Sequence, residues 1–165
     1  TLIRSFHLVV SRCPAQLVIV GKGPERPALE SLIEELGLRA SAHFAGFDDN
    51  PYRWIAAASV FISASTAEGF PNVVAEALAL GCPVVATDCP GDTAALMGHG
   101  RWGRLVPVGD AVSMAAAILD TLDDPSRPMG FIGASELSPS KNAAAYLDVL
   151  LPVRGGLASE HVGGS

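Results

Sequence analysis

Two glutamates lie eight positions apart around a loop-to-helix junction, in the stretch STAEGFPNVVAEALALG. Glu68 precedes Gly69 and Pro71, and Glu76 lies about one turn inside the predicted helix. Glycine lets the backbone turn or approach a ligand closely, and proline suits the first helical turn. The amides of residues 72–74 would then point outward, and together with the helix dipole they favour an anion such as phosphate. The junction therefore predicts a phosphate site with a carboxylate on either side.

The two carboxylates suit the hydroxyl groups of a ligand that carries this phosphate. Glu68 would accept hydrogen bonds from a neutral group attached to the phosphate, and Glu76 from a vicinal diol such as ribose. The alternative is that both acids only favour the helix N-terminus electrostatically. We prefer the ligand interpretation because Glu76 falls among apolar residues, where a charge without a partner is costly.

Short apolar strands alternate with helices along the chain. Helices are predicted in TLIRSFHLVVSR, GPERPALESLIEELGL, PYRWIAAA, PNVVAEALALG, GDTAALMGHG, DAVSMAAAILDTLDD and SKNAAAYLDVLL, and strands in QLVIVG, AHFAGF, SVFISAS, PVVAT and GRLVPV. This alternation predicts an α/β fold, a doubly wound parallel sheet with helices on both faces. The segment 125–139, rich in Pro, Gly and Ser, is predicted to be a connection, and residues 151–165 a flexible tail.

The composition narrows the classes of function. The 165 residues are 49% hydrophobic and 17% charged, which predicts a globular domain. Their net charge of −6 disfavours a nucleic-acid partner. Every apolar stretch is cut by glycine, proline or charge, so that none has the length of a membrane span. Three cysteines without a CxxC pair are typical of a reducing cytoplasm.

Two glycine-rich stretches partly match the pattern of a dinucleotide-binding site. GHGRWG, residues 98–103, matches G-x-G-x-x-G but precedes a strand, whereas the dinucleotide motif joins a strand to a helix. GKGPER follows a strand but has Arg26 in place of the third glycine. The four histidines are scattered, without neighbouring Cys or carboxylate at ligand spacing. The sequence therefore predicts neither a cofactor nor a metal site.

The junction and its surroundings resemble a known family. EGFPNVVAEALALGCPVVATDCPG is similar to the donor-binding C-terminal domain of retaining GT-B glycosyltransferases of family four, which carry two glutamates eight positions apart. The resemblance covers about residues 1–150 and includes LVIVGKGPER, HFAGF and GRLVPVGD. It implies a Rossmann-like, nucleotide-sugar-binding domain over 1–150 that forms the C-terminal half of a GT-B enzyme.

The resemblance also implies an activity and a set of site residues. The activity is transfer of a sugar from a nucleotide-diphosphate sugar, usually a UDP-sugar, with retention at the anomeric carbon and without a metal. Glu68 would hold the donor sugar as the catalytic residue, and Glu76 would hold the ribose. Seven further residues would line the donor site: Gly21 and Gly23 beside the phosphates, Phe47 in the base pocket, and Gly69, Phe70, Asn72 and Val73 around the sugar and the distal phosphate.

The chain departs from the family pattern in two respects. In the family a strand precedes TLIRSF and ends in a loop with an arginine and a lysine, and an acceptor-binding domain lies N-terminal to it. Both are expected outside these 165 residues, so that the chain alone is expected to be inactive. CPGDTAALM has Asp92 at a glycine position and Ala94 and Ala95 where Arg-Glu is usual. Donor affinity or identity is therefore expected to differ.

Two alternatives to a glycosyltransferase remain open. One is a nucleotide-sugar-binding module without activity of its own, and the other is a GT-B-fold sugar-nucleotide epimerase, which the glutamate spacing disfavours. For a transferase, a glycan or glycolipid acceptor is expected on the N-terminal domain, with a role in polysaccharide biosynthesis. The full-length enzyme is expected in the cytoplasm, with peripheral association at the inner face of the membrane.

Overall fold

Helices and strands alternate through the part of the chain that the structure describes, which in this computed structural model is residues 1–123. The elements are α1 Leu2–Val10, β1 Leu17–Val20, α2 Arg26–Glu35, β2 Ala42–Gly46, α3 Tyr52–Ala57, β3 Phe61–Ser63, α4 Asn72–Ala79, β4 Val84–Asp88, α5 Thr93–Leu96, β5 Arg104–Pro107 and α6 Ala111–Asp123. Each helix and strand predicted within these residues is present. The predicted helix SKNAAAYLDVLL, the connection 125–139 and the tail 151–165 lie outside the described residues. No helix within 1–123 has both the length and the apolar character needed to cross a membrane.

All strand pairs are parallel, as the alternation of elements predicts. β1 pairs with β2, and β4 lies between β3 and β5 in a second sheet. In this second sheet Val85 lies opposite Ile62 of β3 and Arg104 of β5. The strands therefore form two hydrogen-bonded sheets, because within residues 1–123 no strand pairs with the second edge of β1 or of β3.

β4 is covered on both of its faces. Its four residues 84–87 are each at most 1% exposed. Since successive side chains of a strand point to opposite faces, helices must cover both sides. α4, α5 and α6 all contact this strand. This is the doubly wound arrangement that the sequence predicts.

One apolar core joins the helices and the two sheets. α1 packs against α6 and contributes Ile3, Phe6 and Val9, whose three-residue spacing places them on one helix face. Met114 and Ile118 of α6 belong to the same core. The core also contains residues from both sheets: Leu17, Ala42, Val85 and Val106. The sheets are thus held together by shared side-chain packing rather than by hydrogen bonds between strands.

The N-terminus of α6 is capped by Asp110, which stands directly before the helix. One carboxylate oxygen of Asp110 accepts hydrogen bonds from the amides of Val112 and Ser113, at 3.0 and 2.9 Å. The Ser113 hydroxyl donates to the other oxygen at 2.6 Å. The hydrogen bonds from the Ser113 hydroxyl and amide, with that of the Val112 amide, hold the pKa of Asp110 below its usual value. The carboxylate therefore fixes the point at which the chain leaves β5 and enters α6.

Candidate functional site

The predicted site residues follow the carboxyl ends of three strands. Ligands of α/β proteins bind in the loops at this end of the strands. Gly21 and Gly23 lie in the loop after β1, and Phe47 directly follows β2. The loop after β3 and the first two turns of α4 contain the others: Glu68, Gly69, Phe70, Asn72, Val73 and Glu76.

Glu68 is held in place by its side chain and by its backbone. The Ser65 hydroxyl donates a hydrogen bond of 2.6 Å to Oε1 of the Glu68 carboxylate. The Glu68 amide donates to the Pro90 carbonyl at 3.0 Å, and the Asp92 amide donates to the Gly69 carbonyl at 3.2 Å. These two backbone bonds join the loop after β3 to the loop after β4. The half-buried Glu68 is thus fixed between two loops.

Gly91 lets these two loops approach each other closely. Its φ is +121°, a backbone conformation that residues with a side chain rarely adopt. A Cβ at this position would collide with the carbonyl group of Glu68. Only glycine therefore fits where the loop after β4 passes behind Glu68.

The start of α4 differs from the prediction in detail. The sequence predicts Pro71 in the first helical turn, but Pro71 precedes the helix, and its φ of −81° and ψ of 74° form an inverse γ-turn. In this turn the Asn72 amide donates to the Phe70 carbonyl at 3.0 Å. The Val74 amide donates to the Pro71 carbonyl, also at 3.0 Å. Of the three amides predicted to point outward, only that of Val73 has no acceptor among residues 1–123.

The amides of Asn72 and Val74 are bonded within the turn, but two other amides nearby are free. Within the described residues, the amides of Gly69 and Phe70 also have no acceptor. The three free donors at Gly69, Phe70 and Val73 follow Glu68 along the chain. Donors of this kind, next to a helix N-terminus, favour phosphate oxygens or sugar hydroxyls. The free amides of the described residues therefore differ from the set that the sequence predicts, and the anion site stays a prediction.

Glu76 lies on the border of the core. Val74, Ala77 and Leu78 of the same helix are fully buried, while Glu76 is half-buried. Within residues 1–123 its carboxylate has no hydrogen-bond or ion-pair partner. An acid in such a position is free to accept hydrogen bonds from a ligand.

The loops after β1 and β2 are joined to each other. The Gly21 amide donates to the Gly46 carbonyl at 2.7 Å. The Lys22 ammonium lies 4.9 Å from the centre of the Phe47 ring, which is 62% exposed. Gly23 has open space at the position of a Cβ. Lys22, between the two predicted glycines, could also have been predicted from the sequence, because a lysine in a loop after a strand can bind a phosphate.

Asp48 fixes the turn that carries Phe47. Its carboxylate accepts hydrogen bonds from the Asn50 amide at 2.9 Å and from the Trp54 indole at 2.7 Å, and it pairs with Arg53. The hydrogen bond from Asn50 and the bonds from Trp54 and Arg53 hold the pKa of Asp48 below its usual value. This cluster could not be predicted from the loop alone, because two of its three partners, Arg53 and Trp54, lie on α3.

The arrangement suits an anionic, hydroxyl-rich ligand. The loop after β3 and the start of α4 offer free amides and the Glu68 carboxylate. The loops after β1 and β2 offer Lys22 beside the exposed ring of Phe47. Within residues 1–123 no hydrogen bond joins these two groups of residues directly. No three His, Cys, Asp or Glu side chains in this range are placed to hold a metal ion.

Comparison with known proteins decides the family. The family model for glycosyl transferases group 1 matches residues 1–124. The chain belongs to this family. The α/β fold predicted from the sequence, Rossmann-like as in the C-terminal half of GT-B glycosyltransferases, is likewise confirmed.

The relatives that this member of the family matches are longer than the chain. It is 40% identical over 109 residues, 66% of the chain and 30% of the relative, to N-acetylgalactosamine-N,N'-diacetylbacillosaminyl-diphospho-undecaprenol 4-alpha-N-acetylgalactosaminyltransferase of Campylobacter jejuni. It is 37% identical over 139 residues, 81% of the chain and 40% of the relative, to the lipopolysaccharide core biosynthesis glycosyltransferase LpsD of Rhizobium meliloti. Anabaena HepE, solved in complex with UDP, matches with a TM-score of 0.75 and 25% identity over 90% of the chain and 45% of HepE. The chain thus spans less than half the length of each.

Proposed function

We propose that this chain is the donor-binding part of a retaining glycosyltransferase that uses a UDP-sugar. The observation that carries the proposal is the Glu68 carboxylate, held by Ser65 and followed along the chain by the free amides of Gly69, Phe70 and Val73. The family assignment and the UDP found in HepE support the choice of donor.

In this proposal the loop after β3 holds the reacting end of the donor. The free amides hold the distal phosphate and sugar oxygens, and Glu68 accepts hydrogen bonds from the sugar hydroxyls. During transfer the bond between the anomeric carbon and the phosphate oxygen breaks, and a bond to the acceptor oxygen forms on the same face. Positive charge develops at the anomeric carbon, and the carboxylate of Glu68 stabilises it more strongly than it stabilises the ground state. UDP leaves, and the proton of the acceptor hydroxyl is released.

The other end of the donor extends along α4 toward the loops after β1 and β2. Glu76 accepts hydrogen bonds from the ribose hydroxyls. Phe47 contacts the base, and Lys22, whose ammonium lies over the Phe47 ring, offsets negative charge of the diphosphate. Gly21 and Gly23 leave room for the phosphates beside the backbone.

The whole enzyme is proposed to act on a glycan or glycolipid acceptor bound by a separate N-terminal domain. Relatives named for lipopolysaccharide core synthesis and for transfer to a diphospho-undecaprenol sugar support such an acceptor. We propose that the enzyme works in the cytoplasm at the inner face of the membrane, without a cofactor, and that the chain by itself is inactive.

Titration calorimetry of the chain with UDP and UDP-glucose tests the donor site. We expect weak binding of both, because the free amides and Lys22 are present, and weaker binding of UDP-glucose by Glu68→Gln. Glu35→Gln, an exposed glutamate on α2, is the matched control and is expected to bind like the wild type. Absence of binding to any nucleoside diphosphate at millimolar concentration, with the protein shown to be folded, would overturn the proposal.

A further inference from the structure

We propose that Ser65 and Thr87 are positioning residues that hold the Glu68 side chain in one rotamer. Their value for catalysis rests on the proposed function, but the rotamer itself can be measured without any ligand. Neither residue lies in the glutamate pattern, and each comes from the end of a different strand.

The hydrogen bond from Ser65 acts on the carboxylate itself. The Ser65 hydroxyl lies 2.6 Å from Oε1 of Glu68, and since an ionised carboxylate only accepts, Ser65 is the donor. The bond uses one acceptor site on Oε1. The other oxygen of Glu68 and the remaining sites stay available for two or more hydroxyls of a sugar. A glutamate side chain without such a bond would occupy several rotamers, and ligand binding would have to order it.

Buried hydroxyls on β3 and β4 fix Ser65 in turn. Thr87 is only 1% exposed, and its hydroxyl donates to the Ser65 carbonyl at 2.5 Å. On the other side, the Ser63 hydroxyl lies 3.4 Å from that of Ser65. Because Ser65 gives its proton to Glu68, the hydroxyl of Ser63 must be the donor in that contact. The hydroxyls of Ser63 and Thr87, at the ends of β3 and β4, thus both contact Ser65, and the Ser65 hydroxyl in turn donates to Glu68.

The backbone of Glu68 is fixed independently of its side chain. Its amide bonds to Pro90, and Gly91 packs against its carbonyl. Removing the Ser65 hydroxyl therefore leaves the Glu68 Cα where it is and frees only the carboxylate. The effect of the Ser65 hydroxyl on the Glu68 rotamer can therefore be measured separately from any effect on the fold of the loop.

The ratio of the dissociation constants of UDP and a UDP-sugar tests the proposal. The sugar is the one among UDP-glucose, UDP-galactose and UDP-N-acetylglucosamine that the wild-type chain binds most tightly. We expect Ser65→Ala to bind the UDP-sugar roughly 5- to 20-fold more weakly than the wild type, because the Glu68 side chain must then be ordered on binding. Its affinity for UDP should be unchanged. Thr87→Val is expected to show a smaller loss of the same kind, and Thr87→Ser, which keeps the hydroxyl, is expected to bind like the wild type. A general loosening of the fold would instead weaken UDP and UDP-sugar equally, and that result would overturn the proposal.

Three-bond couplings of the Glu68 side chain, measured by NMR without nucleotide, give the ligand-free test. We expect one χ1 rotamer in the wild type and in Thr87→Ser, and averaged couplings in Ser65→Ala. Averaging in the wild type, or a single rotamer in Ser65→Ala, would overturn the positioning role. If the wild type binds neither UDP nor any of the UDP-sugars, the proposed function fails, while the couplings still decide whether Ser65 orders Glu68.

Discussion

Glu68 and Glu76 differ in how the protein holds them. Glu68 lies in a loop, with its carboxylate bonded to Ser65 and its backbone bonded to the loop after β4. Glu76 lies on α4 at the border of the core, and within the described residues its carboxylate has no partner. The Glu68 carboxylate is therefore preorganised in one geometry, whereas the Glu76 carboxylate can reorient towards a bound ligand.

This difference predicts different kinetic effects of the two Gln variants in an enzyme that includes the acceptor-binding domain. Glu68→Gln should lower kcat more than it raises KM for the donor, because its interaction with the sugar strengthens in the transition state. Glu76→Gln should chiefly raise KM. Each change should amount to about 1.5–3 kcal/mol, the usual scale for a hydrogen bond to a charged group. Steady-state kinetics with varied donor measures both.

The alternative explanation makes the opposite prediction for the same variants. If both acids only support the helix N-terminus, melting temperatures should fall in both variants while donor kinetics stay unchanged. Melting curves recorded beside the kinetics separate the two explanations.

At the residue scale, the groups that the proposed function uses could be predicted from the sequence, but the residues that hold them in place could not. Glu68 could be named because an acid directly before a loop-to-helix junction is unusual in its place, and Phe47 because the family resemblance implies it. Ser65 and Thr87 could not be singled out, because serine and threonine are common and the bond between them joins residues more than twenty positions apart. The hydrogen bond from the Asn72 amide to Phe70 could not be predicted either, because the γ-turn at Pro71 depends on a ψ angle that proline itself does not fix.

At the element scale, α6 depends on the carboxylate that begins it. Asp110 caps this helix through two amides and the Ser113 hydroxyl, and these bonds keep its pKa low. A carboxyl group whose pKa is lower in the folded than in the unfolded chain stabilises the fold above the unfolded-state value of about 3.9. That contribution is lost as the pH falls through the lower, folded-state value.

We therefore expect Asp110→Ala to unfold at a lower urea concentration than the wild type at about pH 7, and the difference to shrink below about pH 4. Asp92→Ala is the matched control, because Asp92 precedes α5 without making a side-chain capping bond. It should change the midpoint little. Circular dichroism during urea titration at both pH values gives the midpoints. A difference for Asp110→Ala that persisted at low pH would show that the charge of the cap plays no part.

The elements themselves could be predicted well, and their ends less well. Apolar periodicity and glycines placed each helix and strand within residues 1–123, because these patterns are local in sequence. Asp110 could be predicted as a cap because it stands directly before an apolar helical pattern. Hydrogen bonds between strands are not local, so the sequence predicted one sheet where the described strands form two.

At the scale of the whole molecule, the two sheets have edges without a described partner. The amides of Leu17 and Gly21 donate to the chain around β2, which leaves those of Val18 and Val20 on the other edge of β1. The Phe61 amide donates toward β4. By the same alternation the Ile62 amide faces the other edge of β3. Free backbone edges of this kind are where another chain can pair.

Hydrogen exchange of single amides tests whether these edges are open. We expect Val18, Val20 and Ile62 to exchange faster than Ile19 and Phe61, which belong to the same strands but face a partner. Protection of the first three that rises with protein concentration, together with earlier elution from a size-exclusion column, would show association through the edges. Equal protection of both sets at low concentration would show that the edges are covered within the chain.

The packing of α1 against α6 has a consequence for synthesis on the ribosome. The apolar face of α1, with Ile3, Phe6 and Val9, is completed by Met114 and Ile118, about 110 residues later in the chain. At typical translation rates these partners emerge roughly 5–20 s after the first helix. During that interval α1 exposes an apolar face that, among the described residues, no segment between α1 and α6 covers as α6 does. α1 is therefore synthesised well before the helix against which it docks, and this face is where we expect a nascent-chain chaperone to bind.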